Sequence, residues 1–230
     1  MFDHPARARE MPIRVGIAGL ERDGEGKGHR SQTQREGGPH GGDFMQPTPN
    51  SYSLAVPVQT SDLAAKIRDV PDFPKPGILF KDITTLLKDG NAFRSAIDGL
   101  LERIGDRKVD AVVGMESRGF IFAAPIAYKL GVGFVPVRKL GKLPADVVSV
   151  EYDLEYGSAT LEMHRDAIRP GARVLIVDDL LATGGTVAGT IELVKQCQGE
   201  IVGLAFLIEL SALKGREKLA GYDIVTLISY

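Results

Sequence analysis

The chain has 230 residues, 43% of them hydrophobic, with a net charge of −2 at pH 7, which suffices for one domain with a sizeable core and argues against a nucleic-acid or other polyanion partner. The single cysteine, Cys197, excludes an intrachain disulfide and fits a reducing compartment. No apolar run approaches the roughly 20 residues of a membrane span, and residues 12–20 (PIRVGIAGL) are too weakly apolar, and carry Arg14, for a secretory leader, so a cytoplasmic protein without membrane contact is expected.

Residues 1–50 hold 9 of the 27 glycines and three of the four histidines, His4, His29 and His40, with seven basic and seven acidic residues. Such a segment lacks the apolar surface to offset chain entropy, and a disordered extension is expected. A start assigned too early, with Met45 the natural one, explains the composition equally well; targeting or metal binding are the lesser alternatives. Order is expected from Ser61, which can cap a helix with apolar positions Leu63, Ile67 and Val70. In VPDFPKPGILFKDIT (70–84), Pro71, Pro74 and Pro76 forbid a helix and Gly77 permits a turn. A second helical pattern runs through Phe93, Ile97, Leu100, Leu101 and Ile104.

Short β-branched runs then alternate with helical stretches. The runs are VDAVVG (109–114), VGFVPV (132–137), RVLIV (173–177), IVGLAFLI (201–208) and DIVTLI (223–228), with helices over 119–130, 186–197 and, shorter, near 211–220. This alternation predicts an α/β fold whose mostly parallel sheet is covered on both faces, and ligands on such sheets bind at the carboxyl ends of the strands. Residues 139–164 break the pattern. They are polar, with strand-like pieces VVSVEY and SATLEM around Glu155-Tyr156-Gly157, and read as a long hairpin leaving the sheet, the kind of loop that usually serves as a lid or binding loop.

The most informative stretch is VLIVDDLLATGGT (174–186). Val174–Val177 reads as a central strand with Asp178 and Asp179 at its carboxyl end, and Ala182–Thr186 as a turn into a helix starting near Thr186. The amides of a glycine-rich turn at a helix N-terminus hold an anion. Thr183 and Thr186 add hydroxyls, and Gly184 and Gly185 allow close backbone approach. The two acids cannot bind that anion. They suit the vicinal hydroxyls of a ribose, or a hydrated Mg²⁺. The plain structural reading is two solvated acids before a helix cap. No GK[ST] follows the glycines, so this is not a Walker loop.

VLIVDDLLATGGT resembles the phosphoribosyl pyrophosphate-binding motif of the type I phosphoribosyltransferases and, in the wording DDLLATGGT, their adenine-specific branch. DFPKPGILFKDIT (72–84), ESRGFIF (116–122), VRKLGKLP (137–144), LEYGSATLEMH (154–164) and LKGREKL (213–219) agree, so the resemblance covers about residues 61–230. It departs at Ala123, where the family usually has glycine. The resemblance implies one domain over 51–230, with a central, mostly parallel five-stranded sheet flanked by helices, a small N-terminal hood (about 61–90) and a flexible lid (about 139–164). It implies transfer of the 5-phosphoribosyl group from 5-phosphoribosyl 1-pyrophosphate to adenine, giving AMP and pyrophosphate, in a homodimer. Mg²⁺ is needed, held mainly through the substrate and not directly by protein ligands.

Asp178 and Asp179 are then expected at the ribose, and Ala182, Thr183, Gly184, Gly185 and Thr186 at the 5-phosphate. Ser117, Arg118, Arg138, Lys139 and Lys142 meet the pyrophosphate, where a guanidinium can fork onto phosphate oxygens. The lysine-rich segment can reach a neighbouring subunit's site. The family's non-proline cis peptide falls at Glu116–Ser117. Phe80 stacks on adenine, main-chain groups near Leu79 and Lys81 meet its edge, and Leu180 forms the opposite wall. Glu155, with Tyr156 on the lid, manages the adenine proton, since closure can desolvate the carboxylate. His164 reads as structural and leaves no histidine cluster for zinc. Two other readings are weaker: an orotate or hypoxanthine-guanine enzyme, which lacks a GILFKDIT-like segment, and a phosphoribosyl pyrophosphate-sensing regulator, for which no DNA-binding module is evident.

Overall fold

The computed structural model describes residues 60–153 and 158–230; the extension over residues 1–50 and the lid residues Glu155 and Tyr156 lie outside these. A short helix α1 (Thr60–Ala64) leads into a strand β1 (Arg68–Val70), so the expected helix through Val70 stops early. Leu63 and Ile67 are buried as their spacing predicts, but Val70 precedes Pro71, which disfavours the helical region and turns the chain extended. β1 pairs antiparallel with β2 (Phe80–Asp82). Its directly opposed positions carry two ion pairs, Arg68 with Asp82 and Asp69 with Lys81, the arrangement that steadies so short a ribbon. The ribbon places Phe80 at its end, opposite Val70.

Helices α2 (Thr84–Leu87) and α3 (Gly90–Ile104) follow. Asp89 caps α3 by accepting from the amides of Asn91 and Ala92, and Ile97, Leu100 and Ile104 face inward. Then come β3 (Ala111–Met115), α4 (Gly119–Leu130) and β4 (Gly133–Lys139), the hairpin β5 (Val147–Asp153) and β6 (Ser158–His164), β7 (Arg173–Leu181), α5 (Gly185–Gln196), β8 (Glu200–Glu209), α6 (Gly215–Lys218) and β9 (Ile224–Ser229). The expected five strands form a parallel sheet in the order β4-β3-β7-β8-β9.

The hairpin does not simply leave this sheet. β5 and β6 pair along their whole length, and β6 meets β4 only at Arg138 and Lys139, so the sheet gains two antiparallel strands at one corner and has seven in all. Alternation along the central strand sorts the core into two faces. On β7, Leu175 and Val177 pack with residues of α3 and α4, whereas Val174 and Ile176 pack with residues of α5. Ala123, the departure from the family pattern, is buried on α4 against β3. The room for it comes from Gly114, where an added Cβ would lie 2.6 Å from that of Ala123.

Candidate active site

Parallel strands bring their carboxyl ends to one edge, and there a cleft of about 340 Å³ is lined by Glu116, Ser117, Arg118, Lys139, Asp178, Asp179, Leu180, Ala182 and Thr186. β7 supplies the acids. It runs beyond Val177 to Leu181 because β8 is long enough to pair with it as far as Glu209. Asp178 and Asp179 therefore sit on a rigid strand, not in the loop after it.

Asp178 accepts a hydrogen bond from the Asp179 amide at 2.9 Å. Its carboxylate is pressed against the start of α4, where a Cβ on Gly119 would lie 2.7 Å from Asp178 Oδ1. Burial, and then the neighbouring charge of Asp179, push the Asp178 carboxyl well above the ordinary carboxylate range. Asp179 is 4% exposed. Burial raises its carboxyl too, opposed by Arg118, whose Nε lies 3.0 Å from Asp179 Oδ2.

Arg118 is the N-cap residue of α4, and the Glu116–Ser117 peptide just before it is cis. The Arg118 guanidinium carbon also lies 5.4 Å from the centre of the Phe80 ring, so this one side chain spans the space between the ribbon and the acids. Phe80 packs edge-on to Phe73 at 5.1 Å. Leu180 lines the same cleft.

The cations are not equivalent. Lys139 lines the cleft. Arg138 is held by Glu116, Nε to Oε2 at 3.1 Å, and Glu116 also accepts from the Lys139 amide at 3.1 Å. That backbone bond first, and Arg138 second, hold the Glu116 carboxyl below its ordinary range. Lys142 is exposed and outside the cleft lining. The turn after β7 places Gly184 at φ 78° ahead of the first residue of α5, a left-handed position that favours glycine. Thr186 lines the cleft while Thr183 is exposed.

Leu79 and Lys81 turn their side chains elsewhere, into a larger apolar hollow of about 830 Å³ with Ile78, Leu213 and Tyr230. Lys81 Nζ bonds Asp69 at 2.7 Å and sits 3.7 Å from the Tyr230 ring centre, and Leu79, Phe80 and Lys81 all lie outside the lining of the smaller cleft. His164 lies at the end of β6 opposite Val147, outside the cleft lining. Among the described residues no three His, Cys, Asp or Glu side chains converge as metal ligands. Three structural supports carry no mark of their role in the sequence. Glu116 fixes Arg138, Gly119 admits the Asp178 carboxylate, and Gly215, within the LKGREKL stretch, abuts the turn at Ala182.

Comparison with known proteins places these features in a family. Residues 84–228 match the model of the phosphoribosyl transferase domain. The adenine phosphoribosyltransferase of Clostridium perfringens is 61% identical over 168 residues, 73% of this chain and 98% of that protein. That of Chloroflexus aurantiacus is 59% identical over 169 residues, 74% and 98% of the two chains. The crystal structure of adenine phosphoribosyltransferase from Thermoanaerobacter pseudethanolicus superimposes with a TM-score of 0.73 at 53% identity, covering 75% of this chain and all of that one. The Saccharomyces cerevisiae enzyme, solved with an imino-altritol bisphosphate and adenine, gives a TM-score of 0.69 at 42% identity over 73% and 97% of the two chains.

Proposed function

Because the chain belongs to the phosphoribosyl transferase family, we propose that its cleft receives 5-phosphoribosyl 1-pyrophosphate beside adenine. The chain is an enzyme of purine salvage. It transfers the 5-phosphoribosyl group to adenine, giving AMP and pyrophosphate. The observation that carries this reading is the Asp178–Asp179 pair on β7, opening directly onto the Gly184–Gly185 turn at the start of α5.

In our reading, the amides of Thr183, Gly184, Gly185 and Thr186 hold the 5-phosphate, aided by the α5 N-terminus and the two threonine hydroxyls. Asp178 and Asp179 accept hydrogen bonds from the ribose hydroxyls and fix C1 of the sugar. Bond breaking at C1 leaves a ribosyl-cation-like centre and a departing polyanion, so the chain's work is to position both reactants, stabilise charge and exclude water. Arg118, Lys139 and the Ser117 amide receive the pyrophosphate. Arg118 reaches it by turning from Asp179, whose negative charge the ribose hydroxyls then stabilise. Arg138 and Lys142 complete the positive wall, and Lys142 is free to serve a partner subunit in a homodimer.

Phe80 and Leu180 enclose the adenine, and the backbone at Leu79 and Lys81 reads its edge. Glu155 and Tyr156 close over it, with Glu155 managing the purine proton. The donor set fits Mg²⁺ carried by the substrate. This ion keeps waters and phosphate oxygens around it, and Asp178 and Asp179 influence it through those waters and the ribose without ligating it directly. When bound, Mg²⁺ offsets part of the leaving group's charge. We place the protein in the cytoplasm; no helix among the described residues is long and apolar enough to cross a membrane. The test is direct. Protein, phosphoribosyl pyrophosphate, Mg²⁺ and labelled adenine should give AMP and pyrophosphate in equal amounts. Absence of AMP contradicts the reading.

A further inference from the structure

The phosphate turn does not stand alone. Its outer side rests on the segment before α6. An added Cβ on Gly215 would lie 2.3 Å from the Ala182 carbonyl oxygen and 2.9 Å from Leu181 Cδ1, and one on Gly184 would lie 2.9 Å from the Gly215 carbonyl oxygen. Two glycine backbones thus meet where no side chain fits, one of them inside the turn. Lys214, at φ 55°, makes the bend that delivers Gly215 to this contact.

The next residue fastens the contact to the sheet. Arg216 forks onto Glu209 at the end of β8, Nε to Oε1 at 2.7 Å and Nη2 to Oε2 at 2.8 Å. Thr226 of β9 donates to the same Glu209 oxygen at 3.2 Å. Glu209 is 8% exposed while the Arg216 side chain is 44% exposed, so this is a bidentate pair whose carboxylate, but not its guanidinium, is desolvated. Neither Gly215 nor Arg216 lines the cleft.

We propose that Gly215 is a positioning residue for the phosphate turn, setting the place of the Ala182 carbonyl and of the Gly184–Gly185 amides, and that the Arg216–Glu209 pair clamps it there. This rests on the proposed function only in that the anion held by the turn is the 5-phosphate. A side chain at 215 must push the Ala182 backbone, because Gly215 is tied behind by Arg216. The anion site then loses its geometry while Phe80 and Leu180 keep theirs.

The test compares the full-length protein with Gly215→Ala and Arg216→Met, using ribose 5-phosphate as the binding probe in calorimetry, with thermal unfolding and steady-state kinetics alongside. Gly215→Ala should unfold cooperatively, bind ribose 5-phosphate at least about tenfold more weakly, and raise KM for phosphoribosyl pyrophosphate by a similar factor, while KM for adenine changes less than about twofold. Arg216→Met should show the same selective pattern to a smaller degree. The proposal is overturned if folded Gly215→Ala binds ribose 5-phosphate like the parent. If Gly215→Ala gives no cooperative transition, parent-like binding by Arg216→Met overturns it instead. An equal rise in both KM values also overturns it, since the defect would then be general. The parent's own conversion of adenine to AMP reports separately on the proposed function.

Discussion

Asp178 is a half-buried carboxylate beside the buried carboxylate of Asp179, an arrangement unfavourable to the folded state. An acid whose folded-state pKa is raised binds its proton more tightly when folded, so stability falls as pH climbs from the ordinary value near 3.8 through the raised one, and the penalty is fully present above it. Asp178→Asn keeps the acceptor for the Asp179 amide and removes the charge. It should raise Tm by a few degrees at pH 7.5, yet lower kcat/KM by roughly ten- to a hundredfold, because a lost charge-assisted contact costs about 1.5–3 kcal/mol. Binding of the ribose hydroxyls favours the ionised pair. KM for phosphoribosyl pyrophosphate should therefore fall as pH rises through the raised pKa in the parent, and flatten in Asp178→Asn. A variant less stable than the parent would refute the burial argument. Gly119 tests the same carboxylate from the other side. Gly119→Ala places a methyl group 2.7 Å from Asp178 Oδ1, too close for both, and should lower kcat/KM as far as Asp178→Asn does, without the gain in Tm. Parent-like kinetics would show that the carboxylate has room to move. The acids and the TGGT turn were legible in the sequence because their chemistry is local. Gly119 bears no such local mark, since its function depends on a strand about 60 residues away in sequence.

Elements were legible where one period dominates. The five parallel strands are continuous apolar runs, and α3 carries both its cap Asp89 and its inward stripe. The reading failed where a neighbour overrides the period. Val70 continues the spacing of Leu63 and Ile67, but Pro71 pulls it into β1, and cross-strand pairing at Arg68–Asp82 then stabilises the ribbon. β7 outran its expected end because an acid pair interrupts the apolar run, while the partner strand β8 continues to supply backbone hydrogen bonds. The hairpin was legible as two strands but not as a corner of the sheet, since only Arg138 and Lys139 join it to β4. We propose that Glu155, in the segment joining β5 to β6, belongs to a lid. Glu155→Gln should lower kcat severalfold or more and leave phosphoribosyl pyrophosphate affinity within about twofold, as expected for proton management at the base. Weakened affinity with constant kcat would make Glu155 a positioning group.

At the scale of the molecule, one sheet carries two cores; β3, β4 and β7 present their carboxyl ends to the cleft, while the chain leaving β8 and β9 borders the larger hollow. Residues 84–228, which match the family domain, hold all of that sheet except Ser229 at the end of β9, so we expect residues 1–50 to contribute nothing to it. A protein beginning at Met45 should match the full chain in Tm and in kcat/KM; a drop of several degrees would show that the extension packs on the domain. The specificity of the cleft is the central claim. It rests on the proposal that Phe80, to which Arg118 reaches from the acids, and Leu180, in the cleft wall, enclose the base. The most direct measurement is kcat/KM for adenine, hypoxanthine, guanine and orotate, each with phosphoribosyl pyrophosphate and Mg²⁺. Adenine should exceed every other base by at least about a hundredfold, with AMP as the product, since a site built to hydrogen-bond one base edge rejects others strongly. Comparable rates with a second base, or preference for hypoxanthine, guanine or orotate, would contradict the account.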